Sequence, residues 1–236
     1  NLQGAATLVG DTTSILLGSH AEMSFLDFFF FGGRVGIFWI VEIGALASTL
    51  VLLYIFRKDS QSVSSMERTE VEDYFPTVLL TGIVVLLIAA SFIQGKPDIT
   101  NGLICMILFI IGLVWKTIKT KSTSYIKVAF KEIDYSTILL LAGLFIVIAG
   151  ITEVGLVKDI SNIFVRFSGD NKFVIYTLIV WASVIFSAFI DNIPYVATML
   201  PVTGEIATIL GIEPYLLFFG LLIGATLGGN LTPIGA

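Results

Sequence analysis

Residues 173–200 have the sequence FVIYTLIVWASVIFSAFIDNIPYVATML, in which two apolar arms meet at the polar tip Asp191-Asn192-Ile193-Pro194. Pro194 has no backbone N–H and disfavours helix at the residue before it, so we expect the helix to break at this tip. The second arm, at about residues 194–210, is weakly apolar and contains Glu205. These features favour a re-entrant hairpin, with two full membrane spans as the alternative.

A second break follows closely along the chain. Residues 214–227 form an apolar stretch of only half a membrane span, and residues 228–235 then have the sequence GGNLTPIG. Irregular backbone exposed to lipid would leave polar groups unpaired, at a cost of several kcal/mol. We therefore expect this break to be buried in protein or to line a watery cavity.

The composition is that of a membrane protein. Hydrophobic residues make up 56% of the 236 positions and charged residues 13%, and the mean hydropathy is +0.96. A soluble domain has about 45–50% apolar and about 25% charged residues. The apolar residues form blocks long enough to cross a hydrocarbon core of about 30 Å. Full spans are predicted at residues 35–56, 75–93, 99–118 and 136–157. The fold class predicted is an all-α, multi-pass integral membrane protein.

Several other classes of protein find no support. The net charge of −5 gives no indication of nucleic acid binding. Cys105 is the only cysteine and His20 the only histidine, which excludes an internal disulfide and argues against catalytic zinc. No phosphate-binding loop or dinucleotide fingerprint is present. We expect no enzymatic activity and no cofactor beyond a coupling ion, Na⁺ or H⁺. A membrane-embedded enzyme or energy-coupling subunit is the non-transport alternative.

The two ends of the chain resemble each other. A shift of 225 positions places Gly4, Thr7 and Gly10 on Gly229, Thr232 and Gly235. With the four spans and the hairpin between them, the chain passes through the two breaks in opposite directions. This is the arrangement of an inverted repeat in a transporter.

Basic residues in the loops predict the orientation. Loops 57–74 and 116–135 lie on one side and together contain eight Lys or Arg residues. Loops 94–98 and 158–172 lie on the other side, which has five when Arg34 at a boundary is included. The positive-inside rule then places loops 57–74 and 116–135 in the cytoplasm.

Asp191 is the main candidate for an ion-binding residue. A charge within the bilayer costs about 2.5–3.5 kcal/mol on insertion scales and is usually functional where it is kept. Beside Asn192, the Asp191 carboxylate could hold a cation or a proton. The alternative is an aspartate that caps a helix at a turn.

The second break offers neutral oxygen ligands. Asn230 and Thr232 lie there beside exposed backbone carbonyls, and unwound transporter helices use such oxygens to coordinate Na⁺. A purely structural glycine-rich kink is the alternative. Thr7 and Asp11 occupy the matching place in the first break, and Asn1 lies just upstream.

Three stretches resemble signatures of the ion transporter superfamily. They are residues 1–11 (NLQGAATLVGD), residues 133–145 with their IDY and LLLAGLF segments, and the pair SAFIDNIPYVATM at 187–199 with GGNLTPIGA at 228–236. Within that superfamily the sequence is most similar to the branch of arsenite permeases, NhaD-type sodium/proton antiporters, the melanosomal P protein and citrate-transporter-like permeases. The resemblance extends over nearly the whole chain.

This resemblance implies a larger protein with two inverted repeats, each presenting a hairpin and a broken helix to one central site. It also implies a homodimer that works by elevator-like alternating access. On that template residues 1–33 end the first repeat with its broken helix and an interfacial segment. Residues 34–135 are connecting spans and cytoplasmic loops, residues 136–236 belong to the second repeat, and the first hairpin is missing.

The same template implies a binding site for a small ion. Its second half would comprise Asp191, Asn192, Pro194, Gly229, Asn230 and Thr232, with a possible Na⁺ at Asp191, Asn192, Asn230 and Thr232. Its first half would keep Asn1, Thr7 and Asp11. One departure from the pattern is Gly10-Asp11-Thr12-Thr13-Ser14, where many relatives have two prolines and an asparagine after Gly-Asp.

The function expected is secondary active transport. The first hypothesis is a cation- or proton-coupled antiporter of small ions, or an arsenite-type anion permease, in a bacterial or archaeal plasma membrane. The second is a sodium-coupled di- or tricarboxylate symporter, in which the anionic substrate would meet the positive ends of half-helices.

Overall fold

A computed structural model describes residues 2–59, 73–93, 95–97 and 99–232. The chain divides into two compact units. One contains residues 1–45 and 135–236, and includes both sequence breaks. The other contains residues 46–134.

The described residues form α-helices joined by short turns. Their bounds are α1 (Thr12–His20), α2 (Ile37–Ile55), α3 (Phe75–Ser91), α4 (Thr100–Thr120), α5 (Ser124–Lys131), α6 (Tyr135–Glu153), α7 (Leu156–Ser168), α8 (Lys172–Ser187), α9 (Asn192–Leu210) and α10 (Tyr215–Gly228). The 3₁₀ segments are Leu2–Ala6 and Phe25–Phe28.

The predicted spans each correspond to a helix: α2, α3, α4 and α6. Among the described residues, the stretches long and apolar enough to cross a membrane are Ile37–Ile55, Thr100–Thr120, Asn192–Leu210 and Ser124–Glu153, the last of which combines α5 and α6. Helix α3 has 17 residues, or about 25 Å at about 1.5 Å per residue. The all-α, multi-pass membrane fold is therefore confirmed.

Two short strands were not predicted. β1 (Phe30–Phe31) and β2 (Arg34–Val35) pair in antiparallel register, with Phe30 opposite Val35. Gly32 and Gly33 form the turn with φ of 55° and 75°, values that favour glycine. Phe28, just before this hairpin, is fully buried and lies against Phe219 of α10.

The unit at residues 46–134 contains an antiparallel helix pair. Helices α3 and α4 pack together, and the ring of Phe75 stacks on Trp115 with 4.5 Å between centroids. At the same end the Lys119 ammonium donates a hydrogen bond of 2.9 Å to Asp73. Most large apolar side chains of α4 are exposed, as expected of a lipid-facing helix.

In the other unit α10 packs closely along α8. A β-carbon on Gly224 would lie 2.5 Å from the carbonyl oxygen of Val180 and 2.7 Å from the Ser183 β-carbon. A β-carbon on Gly228 would overlap the carbonyl oxygen of Val184 and lie 2.9 Å from the Ser187 β-carbon. Small residues on both sides let the two backbones approach, as is common between membrane helices.

Helix α9 is more buried than the outer spans. In the 18-residue apolar stretch of α9, 44% of the residues are buried, whereas none is buried in the corresponding stretch of α4. It packs against α10, α7 and α1. The buried Ser161 hydroxyl of α7 donates to the carbonyl oxygen of Val202, 3.0 Å away, which lies one residue after Pro201 within α9.

The end of helix α1 lies beside the start of α10. Its last residue, His20, makes an edge-to-face contact with Phe218 in the first turn of α10, with 5.7 Å between ring centroids. The segment Leu2–Ala6, which precedes α1, also packs on α10. Both the segment at the first break and the end of α1 thus contact α10.

The α8–α10 contact predicts a sharp effect of one methyl group. Gly228→Ala should destabilise the protein by about 1–3 kcal/mol, because the new β-carbon meets backbone that cannot rotate away. The measurement is the thermal unfolding midpoint of the full-length protein in detergent. Gly150→Ala in α6 is the matched control, since no atom lies within 4 Å of an added β-carbon there. An equal midpoint in the two variants would contradict the prediction.

Candidate functional site

The hairpin tip begins where α8 ends at Ser187, and α9 begins at Asn192. Asp191 is the N-cap of α9, and its Oδ1 accepts a hydrogen bond of 2.9 Å from the Ile193 N–H. Pro194 falls in the first turn of α9, where its missing N–H costs no helical hydrogen bond. Asp191 is exposed, and within the described residues its Oδ2 makes no hydrogen bond.

Asp191 therefore does cap a helix, as the alternative interpretation proposed. Capping employs one oxygen of the carboxylate and orients the other outward. A capping role and a ligand role are compatible for this residue, since a carboxylate has two oxygens with about four acceptor sites.

Ser187 connects the hairpin tip to α10. Its buried hydroxyl lies 2.9 Å from the carbonyl oxygen of Ala225 and also contacts the side-chain amide of Asn192. A hydroxyl has one hydrogen to donate, so both contacts are satisfied together when the Asn192 amide presents its NH₂ group to Ser187. Asn192 is itself only 8% exposed. We call the buried contact of Ser187 with Ala225 and Asn192 the brace of the tip, because it holds the tip against α10.

The second break lies against the same tip. The Thr232 hydroxyl donates to the carbonyl oxygen of Ala188, one residue past the end of α8. The Asn230 amide nitrogen donates to the carbonyl oxygen of Thr226, 2.7 Å away, while the Asn230 side chain is exposed. Gly229, which precedes Asn230, is buried. The structure therefore brings the two polar segments of the second half together.

The first break is a compact turn of its own. The Gly10 N–H donates to the carbonyl oxygen of Thr7 at 3.1 Å, and the Ser14 hydroxyl donates to that of Gly4 at 3.0 Å. Asp11 is extended at the start of α1, and its side chain makes no capping hydrogen bond. A β-carbon on Gly4 would lie 2.8 Å from the Asp11 β-carbon. The carboxylate of Asp11 thus packs beside the 3₁₀ segment.

Asn1 lies outside the described residues. Three parts of the second-half site were not predicted from the sequence: Ser187, Thr226 and the carbonyl group of Ala188. Ser187 is a polar residue within an apolar arm, and that position was a signal that it needed a buried partner.

Every charged side chain near the breaks is acidic. Residues 173–232 contain Asp191, Glu205 and Glu213 but no Lys, Arg or His, and residues 1–19 contain Asp11 as their only charged residue. A charge that enters this region from water loses solvation, so the sign of the fixed charges decides what can bind. The fixed charges that flank the breaks in sequence are therefore all negative.

A cavity of about 530 Å³ lies elsewhere in this unit. It is lined by His20, Glu22, Thr208, Tyr215 and Phe218, among others. These residues are at the ends of α1 and α9 and at the start of α10, away from both breaks. None of the predicted site residues lines it.

Apolar spans, a broken half-helix and a polar hairpin tip define a multi-pass integral membrane protein of the transporter class. The chain belongs to the citrate transporter family, whose model matches residues 1–224. The expected resemblance to this superfamily is thereby confirmed.

The relatives agree with this assignment. The chain is 30% identical over 242 residues to a 46 kDa membrane protein of Mycobacterium leprae, covering 100% of the chain and 55% of that protein. It is 23% identical over 259 residues to an uncharacterised transporter of Synechocystis sp., covering 100% and 56%. It is 31% identical over 134 residues to the P protein of Mus musculus, covering 54% and 16%. The chain spans about half the length of the relatives that match it throughout.

The brace at Ser187 predicts a stability effect larger than that of an ordinary hydroxyl. Ser187→Ala removes one buried hydrogen-bond partner of Asn192 and of Ala225, which should cost about 1–3 kcal/mol. This loss of stability is measured from the thermal unfolding midpoint of the full-length protein in detergent. Thr177→Val on the same helix is the control, because that hydroxyl is bonded within α8 to Phe173, 2.8 Å away, near solvent. Equal effects of the two substitutions would show that Ser187 is not a brace.

Proposed function

We propose that the chain is the site-bearing part of a secondary active transporter, in which a cation at Asp191 is coupled to the movement of a small ion. The observation that carries the proposal is a carboxylate at a helix break, with one oxygen fixed by capping, in a region that lacks basic residues. An ionisable residue between two membrane-protein helices is a functional candidate by default.

The cation would be Na⁺ or H⁺. Na⁺ favours oxygen ligands, and the Asp191 carboxylate, the Asn230 amide oxygen and backbone carbonyls of the second break could provide them. Thr232 and Asn192 would then act by positioning, since their polar groups contact Ala188 and Ser187. A proton would need only the free oxygen of Asp191.

In alternating access, the two breaks would line the binding site. Short helices that end inside the protein allow a site to be reached from one side at a time, because each break closes half of it. The Leu2–Ala6 segment packs on α10, so the first break moves with the second as one unit in this proposal. The complete site would include a first hairpin, and the full-length protein would be a homodimer.

Two substrate classes follow from two observations. The acidic surroundings of the breaks favour exchange of a cation for protons, as in antiporters of this superfamily. The family description names citrate, which favours a di- or tricarboxylate symporter. In that case the substrate carboxylates would meet the positive ends of half-helices, and the coupling cation would neutralise Asp191 at the start of α9.

Asp191 can be tested in a way that separates charge from capping. Asparagine is as good an N-cap as aspartate, so Asp191→Asn should keep the fold and remove the charge. Asp191→Ala should lose both, with a capping cost of about 1 kcal/mol. We expect Asp191→Asn to abolish coupled transport while its unfolding midpoint stays near that of the wild type. Asp159→Asn on α7 is the control, being an exposed acidic residue away from the breaks.

The assay uses the full-length protein in everted vesicles of a host without sodium/proton antiporters. A pH-sensitive dye would report collapse of the proton gradient on addition of Na⁺ or Li⁺, and parallel arms would follow citrate and arsenite uptake. Full activity of Asp191→Asn in all arms would show that the carboxylate only caps α9. Activity in the citrate arm alone would select the symporter.

Binding can be measured independently of transport. If Na⁺ binds the folded state, it should raise the unfolding midpoint of the wild type in proportion to the logarithm of its concentration. Asp191→Asn should abolish that shift, and potassium at equal ionic strength is the control. An equal shift in the wild type and in Asp191→Asn would place the Na⁺ site elsewhere, whereas no Na⁺ shift together with pH-dependent transport would assign the coupling role to a proton.

A further inference from the structure

The connection between α4 and α6 carries a concentration of positive charge that the transport site does not use. Lys116, Lys119, Lys121, Lys127 and Lys131 lie within sixteen residues, and no acidic residue occurs between the first and the last of them. All five are exposed. We call residues 110–131, the last part of α4 together with α5, the basic elbow.

The elbow has a defined shape. Helix α4 ends at Thr120, and Lys121 adopts a left-handed conformation with φ of 50°. Helix α5 then packs back on α4, and the Lys116 ammonium lies 5.5 Å from the centre of the Tyr125 ring. The contacts are local, so this geometry belongs to the unit at residues 46–134 alone.

An apolar groove of about 160 Å³ lies between the two helices. It is lined by Ile110, Leu113, Val114, Thr117, Ile118 and Ile126. The one hydroxyl in that set, on Thr117, is bonded to the carbonyl oxygen of Leu113 at 2.8 Å. The groove therefore offers hydrocarbon surface beside a row of ammonium groups.

One of the lysines is neutralised within the protein. Lys119 donates a hydrogen bond to Asp73, and this contact lowers the pKa of the Asp73 carboxyl, so that the pair stays ionised at neutral pH. Within the described residues no ion pair involves Lys116, Lys121, Lys127 or Lys131. Four lysines without an ion pair among the described residues thus lie on or directly after the two helices that form the groove.

We propose that the basic elbow binds an anionic phospholipid of the membrane. One acyl chain occupies the groove, and the lysines hold the phosphate. Because α4 is a membrane-crossing helix that ends at the elbow, the lysines lie at the depth of the lipid headgroups. Helix α5 has exposed Val128 and Phe130 as well as lysines, which is the composition of a helix that lies in the bilayer surface. Clusters of four or more basic residues beside a span attract anionic lipids.

The test uses the full-length protein in nanodiscs, with every tryptophan, including Trp39, Trp115 and Trp181, replaced by phenylalanine. Ile118→Trp, in a lining position that is 68% exposed, serves as a fluorescent reporter. Phospholipids brominated on their acyl chains quench the reporter when they occupy the groove. Phosphatidylglycerol is compared with phosphatidylcholine at the same mole fraction, and the ratio of quenching gives the relative binding constant.

We expect brominated phosphatidylglycerol to quench several-fold more effectively than phosphatidylcholine. Replacing Lys121, Lys127 and Lys131 by glutamine should reduce that preference by roughly two- to fivefold per lysine. The same three positions changed to arginine should retain it, which separates charge from folding. Lys158→Gln with Lys172→Gln is the control for the loss of basic residues elsewhere.

Two results would overturn the proposal. One is equal quenching by the two lipids, or a preference that the glutamine variant retains. The other is selective displacement of phosphatidylglycerol by inorganic phosphate, compared with chloride at equal ionic strength, which would make the elbow a site for free phosphate. Circular dichroism of each variant confirms that the helices are intact.

Discussion

The close approach of α8 and α10 is the contact on which the candidate site depends. Gly224 and Gly228 bring the α10 backbone against Ser183 and Ser187, and any side chain there would separate the helices. Only at this spacing does the Ser187 hydroxyl reach the carbonyl group of Ala225. Thr232 can then reach Ala188 just beyond. A packing constraint within the membrane thus sets the geometry of the polar atoms at the breaks.

The breaks solve the problem that irregular backbone poses in lipid. Backbone groups of each break are paired within the protein: Gly10 with Thr7 in the first break, and Ala188 with Thr232 in the second. Those internal hydrogen bonds replace the water that an unwound helix would otherwise need. The exposed Asp191 keeps one carboxylate oxygen open after capping.

The main features of this fold follow from span length and from residues that break helices, and for that reason the sequence predicted them well. An apolar block of about twenty residues has one stable form in a bilayer, so α2, α4 and α6 could be placed closely. Helices α5 and α7 were not predicted, since both lie in segments interpreted as loops and pack through short amphipathic faces. The break at Asp191 was visible, but its brace at Ser187 was not, because a serine in an apolar run gives no indication of its partner. That partner lies on another helix, and only tertiary packing identifies it.

Basic residues are unevenly distributed along the chain. Basic residues are absent from 1–19 and from 173–232, where the breaks lie, and are dense at 116–131. This separation has an electrostatic reason: a lysine near Asp191 would pair with it and compete with any cation, whereas a lysine at the end of α4 faces water and headgroups. Among the described residues, no salt bridge involves Asp191. In the proposed function this carboxylate would take its positive charge from an external cation, which is the physical requirement for coupling transport to an ion.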